Sequence, residues 1–314
     1  MIGGPAKIVT GAAVQPRRLS QRMNPRFSTR SNRSGKIKPN PFWAICPISL
    51  ALGIALPSLH LLGQDSTQDS KVDQEIWANV AGQIVVAGQL PEIPLERVGS
   101  HKDRPVCLVD GKVPPDDQLV VDADGGMRDV FVILLPADSG ATIPVHPSYL
   151  QTAQTTLELD NAKCRFQPHA MAVMTGQEVL LKNSDSIGHN CKIASMNNEH
   201  NVNLPAGGKA EIKLEAVDRI PANVTCDIHP WMDALILAKD HPYVAITSSN
   251  GKFEMKNVPA GTWKLQFWHQ RVGFMRKLEI PETKVDRRGR IDVEFVEGKG
   301  LDLGKMKLPA SAIK

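Results

Sequence analysis

Short apolar runs alternate with turn residues along the chain after residue 76. Nine β-rich segments recur between Gly, Pro, Asn and Asp residues, and segments 209–214 and 290–295 alternate apolar and polar positions with a period of two. Few segments show the apolar stripe of an amphipathic helix. Asn250-Gly251, between two of these segments, predicts a tight hairpin turn, because both residues tolerate positive φ angles. The pattern predicts an all-β fold of sandwiches.

A basic leader precedes this β-rich region. Residues 1–63 contain nine Lys or Arg and no acid, and they end in the apolar run 42–63, which a polar linker follows at 64–76. This order predicts a signal peptide cleaved near Ala55 or Gly63, or alternatively an uncleaved membrane anchor. Both alternatives place the rest of the chain in the periplasm or another extracytoplasmic compartment, since the positive flank stays inside.

The net charge of +4 belongs to this leader. Residues 64–314 hold 28 basic and 33 acidic residues, a formal net charge of −5. A basic surface that would attract nucleic acid is therefore not expected, and we predict no nucleic-acid partner.

Four cysteines follow the leader, which itself contains Cys46. Exposed thiols tend to pair in an oxidising compartment. If Cys226 binds a metal, Cys107 and Cys164 are the candidate disulfide and Cys191 is a buried free thiol, although sequence alone does not determine the pairing.

The segment CDIHPWM, residues 226–232, brings three metal-binding side chains into one loop. Thiolate, imidazole and thioether are the donors that hold copper, and two His with one Cys and a weak axial Met form a blue-copper site. Cys226, His229 and Met232 supply three of these donors. His189, at the end of a β-rich run, is the candidate for the fourth, so copper is the predicted cofactor.

A second motif lies upstream of this loop. RFQPHAMAVMTGQEVLLKNSDSIGHN, residues 165–190, has the F-x-P, V-x-x-G-x-x-V and N-x-D-x-x-x-H-N pattern of cupredoxins, and CDIHPWM is similar to the C-x-x-H-P-x-M ligand loop of the amicyanins and plastocyanins. The two motifs together are more specific than either alone. The chain therefore resembles the cupredoxins over 166–238, and the resemblance implies a Greek-key β-sandwich.

The resemblance also implies the roles of individual residues. His189, Cys226 and His229 would be the strong ligands of one type 1 copper ion, and Met232 would be its axial ligand. Asn190 would tie the two ligand segments together. Cys191, two residues beyond His189, would lie close to the metal if it faces the same side of its strand.

Cupredoxins of this kind are electron carriers and not enzymes. The resemblance implies a docking surface formed by His229, Pro230 and Trp231, and a transient partner such as a cytochrome c or a dehydrogenase. A multicopper enzyme such as a nitrite reductase is one alternative, but His146, His169, His200, His241 and His269 lack mutual ligand spacing. Of these, His269 within Trp268-His269-Gln270 is the candidate for a second site or a partner contact.

Two further alternatives remain for the 226–232 loop. It could hold zinc or a structural copper ion. Its Cys, His and Met could also be ordinary buried or surface residues without a metal. In either case the chain would be a non-redox binding or cell-envelope protein.

The C-terminal part resembles a different family. Its T-x-x-x-G-x-F-x-x-x-x-V-P-x-G-x-W pattern is similar to the carboxypeptidase regulatory-like, or transthyretin-like, β-sandwich and is formed by Thr247, Gly251, Phe253, Val258, Pro259, Gly261 and Trp263. We expect a copper domain with an N-terminal extension at 77–240 and a second small sandwich at 241–314. Alternatively, the strand within 80–91 belongs to the second sandwich, with the copper domain inserted.

Overall fold

The computed structural model describes residues 76–91, 101–112, 114 and 116–314. The predicted leader at 1–63 lies outside the described residues, as does the predicted linker apart from Ile76. The described part confirms the predicted all-β fold, with only two short helices and one 3-10 turn beside the strands.

No helix within the described ranges is long and apolar enough to cross a membrane.

Strands make up most of the regular secondary structure. The helices, in chain order, are α1 (Arg104–Cys107) and α2 (Ser148–Thr152), and a 3-10 turn covers Ala310–Ala312. The strands are β1 (Trp77–Ala87), β2 (Phe131–Pro136), β3 (Leu157–Asn161), β4 (Phe166–Gln167), β5 (Ala170–Met174), β6 (Glu178–Asn183), β7 (His189–Ala194), β8 (Glu199–Leu204), β9 (Lys209–Lys213), β10 (Ala222–Thr225), β11 (Asp233–Lys239), β12 (Val244–Ile246), β13 (Lys252–Pro259), β14 (Gly261–His269), β15 (Gly273–Phe274), β16 (Arg290–Phe295) and β17 (Gly300–Pro309).

Strands β3 to β11 form one pair of sheets, here called the inserted sandwich. One sheet has the order β5-β11-β10-β7-β8, and the other has the order β4-β3-β6-β9. Their inward-facing side chains share one hydrophobic core, which includes Leu159, Leu181, Ile193, Val224 and Ile236. The alternation in segment 209–214 is confirmed, because Ile212 and Leu214 are buried between exposed neighbours.

Strands β1, β2 and β12 to β17 form the remaining sheets, here called the outer sandwich. Strand β1 pairs antiparallel with β13 and parallel with β17, while β2 lies between β12 and β14. The expected range 77–240 for the copper domain is corrected, because β1 and β2 hydrogen-bond to C-terminal strands and not to ligand-bearing ones. The alternative, in which the copper domain is inserted into the second sandwich, agrees with this pairing. The resemblance to the carboxypeptidase regulatory-like family stays a prediction.

The predicted turn at Asn250-Gly251 is present, but it does not close a hairpin, because the strands on either side of it, β12 and β13, belong to different sheets. Gly251 has a φ of +75°, and its amide donates to the Ser248 carbonyl over 2.9 Å. A Cβ at this position would collide with the carbonyl of Ile84 in β1. Glycine is therefore required both by the positive φ and by the close approach of β1.

Strand β11 joins the two sandwiches because both of its faces are buried. Ala234 and Ile236 point into the core of the inserted sandwich, whereas Leu235 and Leu237 pack against Phe131, Ile133 and Trp268 of the outer sandwich. A strand buried on both faces reads as an unbroken apolar run. This explains the sequence ALILA at 234–238, which has no polar position.

Candidate metal centre

The ligand loop, residues 226–232, connects two paired strands. It leaves β10 at Thr225 and enters β11 at Asp233, residues that face each other in the antiparallel ladder. The Cys226 amide donates to the Met232 carbonyl over 3.3 Å, and the Met232 amide donates to the His229 carbonyl over 2.9 Å. These bonds fold the seven residues into a compact loop whose shape is set by the hairpin beneath it.

The neighbouring strand β7 brings His189 to this loop. Strand β7 runs antiparallel to β10, with Lys192 opposite Thr225, so the start of β7 lies beside the ligand loop. Sγ of Cys226 is 3.9 Å from Nδ1 of His189 and 3.7 Å from Nδ1 of His229. The two Nδ1 atoms are 2.8 Å apart. The structure thus brings together three of the four predicted ligands.

Two carboxylates determine which imidazole nitrogens face this cluster. Nε2 of His189 donates to Asp185 over 2.9 Å, and Nε2 of His229 donates to Asp103 over 3.1 Å. A neutral imidazole protonated at Nε2 presents a lone pair at Nδ1. With both imidazoles neutral, two lone pairs and a sulfur atom converge within the protein, and a proton or a metal cation placed between them would stabilise this arrangement. This donor set fits copper, because it offers imidazole and thiolate together.

The electrostatics favour an ionised thiol at this position. Burial alone would raise the pKa of Cys226, but hydrogen bonds with His189 and His229 lower it to about 6. Burial alone would lower the pKa of His189, but its bonds with Asp185 and Cys226 raise it to about 9. Both shifts arise in part from the contact between the thiol and the imidazole, and a metal ion held by the two groups would take the place of the proton there.

Asn190 connects β7 to the ligand loop. Its Oδ1 accepts a hydrogen bond from the Asp227 amide over 2.7 Å and lies 3.4 Å from Cys226 Sγ. Its Nδ2 donates to Asn201 on β8 over 2.9 Å. The side chain therefore holds the loop against the sheet, as the resemblance implied.

Met232 and Cys191 are both buried in the hydrophobic core of the inserted sandwich. Met232 is 1% exposed and packs in the same core as Cys226. Cys191 is a buried free thiol, and burial together with the charge of Cys226 raises its pKa to about 12. It belongs to none of the three groups of candidate ligand atoms that the described residues contain, so the structure gives it no place among the donors.

The surface position expected for His229 is wrong. Its side chain is completely buried, whereas Pro230 is exposed and Trp231 is half-buried. Residues 101–107, here called the cover segment, contribute to this burial through Asp103 and His101. The ring centroid of His101 lies 5.1 Å from that of His229 and 5.1 Å from that of Trp231.

The predicted disulfide is present and holds the cover segment in place. Cys107, at the end of α1, is bonded to Cys164 of the inserted sandwich. The candidate pairing of these two cysteines is thereby confirmed, and Cys191 and Cys226 are free. The disulfide is the covalent connection between the cover segment and the ligand-bearing sheets.

Sequence reasoning missed the two carboxylates at the histidines. Asp185 stood inside the N-x-D-x-x-x-H-N motif, four residues before His189, and this spacing was a usable signal. Asp103 and His101 lie in an irregular region far from either motif. Only the Cys107–Cys164 pairing would have indicated that their segment lies near the ligands.

The histidines without ligand spacing lie outside this cluster. His169 is buried and lies 2.8 Å from Asp129 through its Nδ1. His269, the expected candidate for a second site, is 1% exposed and accepts a hydrogen bond from the Arg271 amide. Its neighbour Gln270 donates to Asp233 over 2.6 Å. These contacts are internal to the fold, so a surface contact with a partner through His269 is excluded.

Comparison with known proteins gives only weak likenesses. No family model matches the chain, and no curated protein matches it. A copper-containing nitrite reductase from Thermus scotoductus SA-01 is similar at 17% identity and a TM-score of 0.26, over 33% of this chain and 25% of that one. The chain thus spans about a quarter of that protein's length.

Two cupredoxins are matched over their whole length. A purple cupredoxin from Nitrosopumilus maritimus has 20% identity and a TM-score of 0.24, with 27% of this chain and 100% of that chain covered. An oxidised amicyanin variant has 12% identity and a TM-score of 0.25, with 39% of this chain and 100% of that chain covered. Likenesses at such TM-scores carry no argument about function, which therefore depends on the geometry of the site.

Proposed function

We propose that this chain is an exported type 1 copper protein that carries single electrons between extracytoplasmic redox partners. The observation that carries the proposal is the convergence of His189 Nδ1, Cys226 Sγ and His229 Nδ1 in a buried cluster. Buried donor atoms at such separations need a proton or a metal cation between them. Imidazole and thiolate are the donors that copper selects.

The proposed ligand roles follow from the positions of the side chains. His189, Cys226 and His229 would hold the ion, with Met232 of the same loop as a weak fourth donor. When bound, copper supplies a one-electron couple between Cu(I) and Cu(II). The chain contributes a rigid frame: β7 and the β10–β11 hairpin support the ligands, two carboxylates orient the imidazoles, and burial excludes water.

The exposed part of the ligand loop is the proposed contact for redox partners. Pro230 is exposed, and Ile228 is 40% exposed. These apolar side chains lie on either side of buried His229 in the sequence, so a partner seated on them would approach the ligand closely. A transient complex with a protein such as a cytochrome c or a dehydrogenase is therefore proposed.

The disulfide supports the proposed location. Structural disulfides persist in oxidising compartments and are rare in the cytosol. The bond between Cys107 and Cys164 is therefore in keeping with a mature protein outside the cytoplasm.

One observation favours a second candidate function. His229 is fully buried and hydrogen-bonded to Asp103, and a closed site of this kind suits a metal that stays in place as a structural element. The second candidate is therefore a non-redox metal-binding protein of the cell envelope. Redox cycling separates the two functions.

An absorption and EPR spectrum of the Cu(II)-loaded protein tests the proposal. We expect an intense thiolate-to-copper band and narrow copper hyperfine splitting in the wild type, and loss of both in Cys226→Ser. Cys191→Ala is the matched control and is expected to retain the spectrum. Repeated reduction and reoxidation without loss of copper would support the carrier, whereas a colourless protein that binds copper or zinc would support the non-redox alternative.

A further inference from the structure

We propose that Asp103 is a positioning residue of the metal centre. It acts from the cover segment, which lies outside the strands that bear the ligands, and it fixes the ring of His229. This inference rests on the proposed metal-binding function of the site, but it concerns a side chain to which neither sequence motif assigns a role.

The contact between Asp103 and His229 has a definite chemical consequence. Oδ2 of Asp103 accepts the Nε2 proton of His229 over 3.1 Å, and the imidazole is completely buried while the carboxylate is 22% exposed. With the proton held at Nε2, the lone pair of Nδ1 is directed at Cys226 and His189. A carboxylate behind a ligand imidazole fixes both its tautomer and its orientation.

The other imidazole is held in the same way. Asp185 accepts the Nε2 proton of His189 over 2.9 Å, so each candidate ligand histidine has its own carboxylate. Asp185 comes from the loop just before β7, within the ligand-bearing sandwich. Asp103 reaches His229 across a sequence separation of 126 residues, so its presence at the site depends on what holds the cover segment.

The Cys107–Cys164 disulfide joins the chain segment that carries Asp103 to the segment that contacts Asp185. The Asp103 carbonyl accepts hydrogen bonds from the amides of Val106 and Cys107, over 3.0 and 3.1 Å. On the other side of the disulfide, the amide of Cys164 donates to Asp185 over 2.8 Å. One covalent bond therefore joins the short turn that presents Asp103 to the loop that contacts Asp185.

A second metal ion is the competing explanation for this arrangement. His101, Asp103 and His229 offer ligand atoms that lie within 4.8 Å of one another. However, the 3.1 Å separation of Asp103 and His229 is that of a direct hydrogen bond, and Nδ1 of His101 already accepts the Asp103 amide proton over 3.2 Å. These bonds satisfy the donor atoms without a cation, so the geometry favours the positioning role.

Metal affinity provides the first test. Zn²⁺ titrations of the full exported protein would compare the wild type with Asp103→Asn and Asp103→Ala. We expect Asp103→Ala to bind Zn²⁺ about 10- to 100-fold more weakly and Asp103→Asn, whose amide oxygen can still accept the Nε2 proton, to fall between. Asp110→Asn is the matched control, because Asp110 is exposed in the same region and its positive φ suits Asn. Two ions per wild-type chain, or equal affinities in all variants, would overturn the positioning role.

The imidazole tautomer provides a test that needs no metal. Long-range ¹H–¹⁵N NMR spectra of the metal-free protein are expected to show His229 protonated at Nε2 in the wild type and shifted toward Nδ1 protonation in Asp103→Ala. An unchanged tautomer would contradict the inference. If the tautomer and Zn²⁺ affinity depend on Asp103 but Cu(II) gives no type 1 spectrum, the electron-carrier function fails while the positioning role stands.

The reduction potential distinguishes positioning from general stability. If Asp103→Ala weakens Cu(II) binding tenfold more than Cu(I) binding, the reduction potential rises by about 59 mV.

The double variant Cys107→Ser/Cys164→Ser, which frees the cover segment, is expected to shift Zn²⁺ affinity in the same direction as Asp103→Ala. An unchanged affinity in this double variant would show that the disulfide does not hold Asp103 in place.

Discussion

Two buried clusters combine imidazole with carboxylate, one at the candidate metal centre and one around His169, and they differ in how their charges are balanced. At the metal centre each imidazole has one carboxylate at Nε2 and turns Nδ1 toward other donors. At His169, both ring nitrogens face acids: Nδ1 lies 2.8 Å from Asp129 and Nε2 lies 3.8 Å from Asp233.

The pKa of His169 reflects this difference. Burial alone would lower the pKa of His169, but its interactions with Asp129 and Asp233 raise it to about 9. The ring is thus an imidazolium that neutralises its neighbours, and burial is tolerated because the charges are paired. The candidate metal centre instead places three donor atoms together, with too few protons for each donor atom to have one. Converging donor atoms, and not the number of histidines, therefore distinguish the candidate metal site.

The largest expected effect is the response of the metal centre to a redox-inert ion. Zn²⁺ at a thousand times its dissociation constant should raise the free energy of unfolding by about 4 kcal/mol, measured by urea denaturation. His169→Gln should keep this increment, because His169 belongs to the self-neutralised cluster. Cys226→Ser should lose it at the same Zn²⁺ concentration. An equal response in both variants would remove the distinction between the clusters.

The next effect concerns the charge pairing at His169. Asp129→Asn leaves a buried imidazolium without its nearest carboxylate, which costs about 3 kcal/mol of unfolding free energy. Urea denaturation of the metal-free protein measures this loss. Asp124→Asn, an exposed carboxylate, is the control and should change stability by less than about 0.5 kcal/mol. Comparable effects in both variants would mean that the network does not stabilise the fold.

The pH dependence of stability tests the same charge pairing at His169. Because the folded pKa of His169 is raised from 6.5 to about 9, its stabilisation is fully present below about pH 6.5 and is lost as the pH rises through 9. The wild type should therefore lose on the order of 2–3 kcal/mol relative to His169→Gln between about pH 6 and pH 10. Denaturation of both proteins across this range gives the difference, and a flat difference curve would contradict the assignment.

The smallest effect is expected at Met232. Replacement by Leu keeps the volume of a buried side chain and should cost less than about 1.5 kcal/mol of stability. A weak axial ligand tunes a copper site without holding it, so Met232→Leu should keep the thiolate band while the reduction potential changes. Loss of copper in this variant would mean that Met232 is a principal ligand, as Cys226 is proposed to be.

The strands that could be predicted have at least one buried face. Segment 290–295 alternates in the sequence and in burial, as β16. The edge strand β8 escaped prediction, because five of its six positions are exposed or half-buried and, among the strands that the structure describes, it pairs only with β7. A strand at the edge of a sheet needs no apolar alternation, since one neighbour and water satisfy its backbone.

The candidate site was predicted as far as local motifs reach. Cys226, His229 and Met232 lie within one loop, so their common position follows from spacing alone. His189 was found through its own motif, and β7 does bring it to the loop. Asp103 could not be found, because its contact with His229 depends on a separation of 126 residues.

The sequence by itself determined the all-β class, the donor types of the metal centre and the candidate disulfide, because alternation, ligand chemistry and cysteine number are local or compositional. Only the tertiary structure decided that β1 and β2 join the C-terminal strands, that His229 is covered, and that two carboxylates orient the imidazoles. These features arise from contacts between distant segments. Backbone pairing and a disulfide establish such contacts, and neither produces a periodic pattern in the sequence.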